Sequence, residues 1–190
     1  RELDFYPRET IVVLLYPDQA FRDVSQSPDW VGAVNDGKIR VPVSGLTTVS
    51  GGLARLLKHE LTHSFVRQIN LGRCPTWFNE GLAQLEEGAT TATLGTPLAR
   101  AIAEGRVPAL ASLESSFLDL PPAQVGLAYA KSLAALEYLR DTFGLGEIRR
   151  LLRNMGGNPS FHSLLQDHLR LTYPSFEQEV GNYIVKRYGS

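Results

Sequence analysis

Residues 59–63 read His-Glu-Leu-Thr-His, and no other stretch restricts the chain as tightly. Side chains four apart on a helix lie about 40° apart around the axis and one turn along it, so both imidazoles can point at one ion. The flanking sequence supplies such a helix. Ser50 is a suitable N-cap, Leu53, Leu57, Leu61 and Phe65 recur at helical spacing, and Gly72 stands beyond the end, which predicts a helix from Leu53 to Asn70. Catalytic zinc takes three protein ligands and keeps a fourth position for water. The lone cysteine, Cys74, cannot build a thiolate cage and reads as a small buried residue, so the third ligand should be another His or a carboxylate nearby. Glu80 is the candidate. Glu86 and Glu87 compete with it, but they lie two helical turns further on, where a solvated charged face accounts for them.

Several function classes drop out on composition. A formal net charge of -1 gives no basic field for counterion release, so no nucleic-acid partner is expected. No apolar run approaches the roughly 20 residues that cross a bilayer, and no signal-peptide core follows Arg1, so no membrane-spanning segment is expected. The chain starts without Met and enters a strand almost at once, which reads as part of a longer protein and leaves its compartment open. With 190 residues and no linker or repeat, 1–190 is expected to be a single domain.

Along the chain, Thr10 to Tyr16 is β-branched and continuously apolar and predicts a buried strand. A loop rich in Asp, Ser and Pro follows, then the turn Asn35-Asp36-Gly37 and the alternating run Lys38 to Val43. Pro42 argues that this run is an edge strand. Trp77 to Glu87 predicts a second helix stopped by Gly88. Pro121-Pro122 opens a long helix that Gly144 ends, and two helical patterns follow near Ser160 to Leu171 and Ser175 to Tyr188. The long helix carries Val125, Leu133, Leu136 and Leu139 as an apolar stripe, expected to cover the His59–His63 helix. The fold class expected is α+β, with a small N-terminal sheet and a helical C-terminal half.

The HExxH at 59–63 followed by Pro75-Thr76-Trp77-Phe78-Asn79-Glu80-Gly81-Leu82-Ala83, a PxWFxEGLA box, resembles the gluzincin zinc metallopeptidases. It is most similar to the small bacterial peptidase MA-like domains. The resemblance implies a zincin-like fold and one Zn2+ per chain, held by His59, His63 and Glu80. It also implies a peptide or protein substrate laid along an edge strand beside the cleft, here Lys38 to Val43.

Zinc with two imidazoles and one carboxylate keeps residual positive charge, which lowers the pKa of its water and polarises a peptide carbonyl. Glu60, next to His59, is then the expected general base. Tyr129 is the candidate donor to the oxyanion, with His162 and His168 as fallbacks, because gluzincins bring a Tyr or His from a downstream helix. Gln84, one turn after Glu80, stands where some gluzincins place an acidic residue that orients a ligand imidazole, and is expected to hold one here. A second reading is an inactive zinc-binding module that keeps the fold to bind peptides or partner proteins. Retention of both His residues, Glu60 and Glu80 favours catalysis over it.

Overall fold

The computed structural model describes residues 3–26, 32–43, 45, 48–157 and 159–189. Its N-terminal part is a three-stranded sheet. Strand β1 (Val13–Tyr16) is followed by helix α1 (Asp18–Ser25), strand β2 (Val34–Asn35) and strand β3 (Ile39–Pro42). β1 pairs in parallel with β3, and β2 pairs antiparallel with the other side of β3.

The run Lys38 to Val43 is therefore the centre of the sheet and not its edge. Ile39 and Val43 donate their N–H groups to Val12 and Tyr16 on the β1 side. By alternation the donor that Pro42 lacks would face the β2 side, where β2 has already ended at Val34, the partner of Arg40. The proline thus interrupts no ladder bond. β1 is shorter and wetter than expected, with Leu15 59% exposed. A long helix later in the chain packs on one face of the sheet, through Ile39 and Val41, and α1 lies against β1 and β3. The segment taken for a loop after Tyr16 contains α1, anchored by one buried side chain, Phe21; residues 27–31 of it lie outside the described set.

Helix α2 (Gly51–Asn70) carries the sheet on one side and the helical core on the other. Leu53, Leu56, Leu57 and Leu61 pack on Ile39 and Val41, while Val66, Phe65 and Ile69 join the main core. Then come α3 (Thr76–Glu87), α4 (Gly95–Ala103), α5 (Pro122–Phe143), α6 (Leu145–Asn154), α7 (Phe161–Leu164) continued by a π-helical turn, and α8 (Tyr173–Tyr188). The fold is α+β and zincin-like as expected, but α4 and α6 have no counterpart in the sequence reading. Among the described residues no helix is long and apolar enough to cross a membrane.

Helix α3 lies between α2 and α5, so α5 does not cover the α2 helix as expected. Gly81 is the reason the two can meet: a Cβ there would stand 2.3 Å from the Ser132 carbonyl oxygen of α5. Behind this crossing, Trp77 and Phe78 are fully buried among Phe161, Phe176 and Tyr173, and the Trp77 indole donates to the Tyr173 hydroxyl at 2.8 Å. An aromatic plug of this size fixes the rotation of α3 about its own axis.

Candidate metal centre

With Trp77, Phe78, Gly81 and Leu82 committed to the core, the remaining face of α3 carries Asn79, Glu80 and Glu87. Glu80 and Glu87 are seven residues apart, close to two full turns, and so share a stripe. α2 and α3 run antiparallel, because His59 meets the late residue Glu87 while His63 meets the early residue Asn79. On α2, the Ser50 hydroxyl caps the helix by accepting the Leu53 N–H at 3.1 Å. The two histidines one turn apart then face α3 together, their rings 4.8 Å apart and nearly perpendicular.

Three donor atoms converge. Glu80 Oε2 stands 3.6 Å from His59 Nε2 and 3.7 Å from His63 Nε2, and the three residues can bring one ligand atom each within 4.8 Å of one another. Bonds of about 2.0–2.2 Å at a tetrahedral angle separate two zinc ligands by roughly 3.3–3.6 Å, close to the two distances from Glu80 to the imidazoles. The outer ring nitrogens are held as well. His59 Nδ1 bonds Glu87 Oε2 at 3.1 Å and His63 Nδ1 bonds Asn79 Oδ1 at 3.0 Å. Both acceptors call for Nδ1–H, which leaves each Nε2 to hold a cation, a proton or a metal ion, between itself and the Glu80 oxygen.

The electrostatics favour a cation in the same place. Burial disfavours the His59 imidazolium, but the hydrogen bonds and charges of Glu80 and Glu87 outweigh it and push its pKa up to about 10. Glu60 is 7% exposed. Burial raises its pKa, opposed by the charges of His63 and His59 and assisted by those of Glu80 and Glu87.

The centre opens into a cleft of about 700 Å³ walled by Asn35, His59, Glu60, His63, Glu80 and Tyr129, among others. Asn35 ties the sheet to the motif: its amide donates to the Glu60 carbonyl oxygen at 2.8 Å and to the Ser64 hydroxyl at 2.9 Å. The strand edge beside the cleft is therefore β2. Opposite it, Tyr129 packs edge-to-face on Phe117, its ring half-buried. Burial, then the charges of Glu80 and Glu60, drive the Tyr129 pKa up, so the phenol stays protonated.

The family model described as the Peptidase MA superfamily matches residues 7–189. The chain belongs to the Peptidase MA superfamily. Membership places it among peptidases at the level of the superfamily. No curated protein and no solved structure matches it.

In this Peptidase MA superfamily member the structure brings together four of the residues singled out from sequence, His59, Glu60, His63 and Glu80, and sets Tyr129 in the same cleft. It separates others from it. Gln84 touches neither histidine: its amide donates to the Glu80 and Tyr129 carbonyl oxygens, at 3.2 and 3.0 Å, and so fastens α3 to α5. The imidazole-orienting positions belong instead to Asn79 and Glu87. Glu87 is no solvated surface acid, and Glu86 beside it is 7% exposed. His162 is exposed on α7, and His168 lies between Glu147 and Asn154; neither lines the cleft. Cys74 lies further along the cleft wall, outside the ligand group, with burial raising its thiol pKa. The seven-residue interval from Glu80 to Glu87 was the signal that could have exposed the second carboxylate.

Proposed function

We propose that the chain is a gluzincin-type zinc metallopeptidase in which His59, His63 and Glu80 hold one zinc ion and Glu60 is the general base. The observation that carries this reading is the convergence of two Nε2 atoms on one Glu80 oxygen, with each imidazole anchored from behind by an acceptor. Such a set matches the nitrogen and oxygen donors zinc prefers, and it leaves the cleft side of the centre free of protein ligands.

A zinc ion bound there supplies Lewis acidity, which makes a water more acidic and a peptide carbonyl more electrophilic. The chain's own groups do the rest. Glu60, on the cleft wall beside His59, accepts a proton from the attacking water and returns one to the departing amine. Its burial supports that role by holding its basicity above that of a free carboxylate. Tyr129, kept protonated, donates to the carbonyl oxygen as negative charge grows there. The extended substrate lies along β2, whose outer edge offers main-chain partners directly above the Glu60 turn.

The decisive experiment pairs metal analysis with peptide cleavage for the wild-type chain and Glu60→Gln. One zinc per chain in both proteins, with turnover only in the wild type, is the expected result. Zinc without turnover in either would leave the non-catalytic module, and no stoichiometric zinc would refute the centre.

A further inference from the structure

One turn beyond His63, on the side of α2 that faces the cleft, stands Arg67. It lines the cleft and also an adjoining cavity of about 540 Å³ between α2 and the N-terminal segment, and Asn35 and Leu71 are shared by both walls. The turn after β2 arches over it: a Cβ on Gly37 would stand 3.6 Å from Arg67 Nη1. β2 and its turn thus run alongside α2, Asn35 over Glu60 and Ser64 and Gly37 beside Arg67. A strand laid on that edge passes the metal centre at one end and the guanidinium at the other.

Arg100, Arg106, Arg140, Arg150, Arg153 and Arg187 each sit against a carboxylate. Arg55 and Arg170 are exposed without an ion pair among the described residues, but they line neither cavity, whereas Arg67 lines both. Arg67 is exposed and makes no ion pair or hydrogen bond with another described residue. Its own helix offers none, since the positions three and four away are Ser64, His63, Asn70 and Leu71. The adjoining cavity adds Arg8 and one acid, Glu9, so its balance is positive. Further along the same wall Leu71 holds a left-handed backbone, φ 59°, and leaves its side chain 70% exposed.

From this placement we infer that Arg67 is a specificity-determining residue that binds a carboxylate of the substrate near the scissile bond. The inference rests on the peptidase reading above. A rise of about 6 Å from His63 to Arg67 along the helix matches roughly two residues of extended peptide. An acidic side chain or the free C-terminal carboxylate can both occupy that position, and a guanidinium fork grips either with paired bonds.

The test uses zinc-loaded protein and end-blocked peptides carrying Asp or Glu, against Asn or Gln, at each of three positions on either side of the cleaved bond. A second arm compares free and amidated C-termini on a neutral peptide. The wild type is expected to favour the acid at one position, or the free terminus, by about 10-fold to 100-fold in kcat/KM. Arg67→Gln should bring that ratio close to one, Arg67→Lys should keep part of it, and Arg67→Glu should push it below one. Peptide affinity measured by anisotropy in the Glu60→Gln background should change in the same order. Cleavage with the same acid-to-amide ratio in wild type and Arg67→Gln would overturn this inference alone. Peptides neither cut nor bound would overturn it together with the proposed function.

Discussion

Glu87→Gln isolates the contribution of the carboxylate behind His59. The substitution keeps the size of the side chain and an oxygen able to accept from Nδ1–H, and it removes one negative charge 3.1 Å from that nitrogen. Two unit charges at that distance attract by about 5 kcal/mol at an effective dielectric constant of about 20, which bounds the effect from above. The imidazole of a bound histidine carries only part of the metal's charge, and the Glu87 side chain is 24% exposed, so the expected loss is smaller. Outer partners of metal-bound histidines are worth 10-fold to 100-fold in affinity, or about 1.4–2.7 kcal/mol. Competition with a chromophoric zinc chelator at pH 7.5 reads this directly. Glu87→Gln is expected to bind zinc about 10-fold to 100-fold more weakly, and its metal-free form should melt below the wild type at pH 6, where protonated His59 has lost the Glu87 charge. Asn79→Asp, which places a carboxylate behind His63, should shift affinity the other way. Equal zinc affinity in wild type, Glu87→Gln and Glu87→Ala would refute the argument that Glu87 tunes the centre.

Gly81→Ala should lower the melting temperature, because overpacking against the Ser132 carbonyl costs about 1–3 kcal/mol and outweighs a helix-propensity gain of about 1 kcal/mol; an unchanged melt would mean the crossing has room to spare. Tyr129→Phe should lower kcat about 10²-fold to 10³-fold with little change in KM, and a wild-type kcat would return Tyr129 to the role of a packing residue. The metal-free protein should lose stability as pH rises from 6.5 to 10: His59 has a folded pKa raised to about 10, so its protonated form contributes fully below the unfolded value and is lost on passing the folded one. His59→Gln should lack that decline, and melting curves that fall equally in both proteins would show that other groups cause it.

The centre was legible because its chemistry is local. His59 and His63 are joined by one helical turn, and Glu80 sits in a box whose Trp77 and Phe78 could only be core residues. The partners of the imidazoles were harder to see. The seven-residue interval puts Glu87 on the stripe of Glu80, but choosing it over Gln84 also needs the direction and offset of α3 against α2, which neither helix encodes by itself. The misplacement of α5 has a similar cause: an apolar stripe states that a helix is covered, while the covering surface is selected by Gly81, whose missing side chain leaves no periodic trace. Pro42 misled about the edge because a proline is excluded from ladder bonds on one side only, and β2 is too short to reach that side. Helix α6 went unread although Ile148, Leu151 and Leu152 form a proper stripe, since Gly144 both ends α5 and begins the next helix without a linker.

The proposed ligands and the partners of their imidazoles, from His59 to Glu87, fall within one helical hairpin, while Asn35 and Tyr129 reach the cleft from distant parts of the chain. Contacts of short sequence separation close cheaply and early. The hairpin can therefore assemble its ligands before the sheet edge and the long helix have docked, and a metal captured at that stage would act as a folding nucleus around which the substrate-facing walls are later built. Pulse-labelled hydrogen exchange during refolding, with and without zinc, would reveal this as early protection confined to residues 59–87.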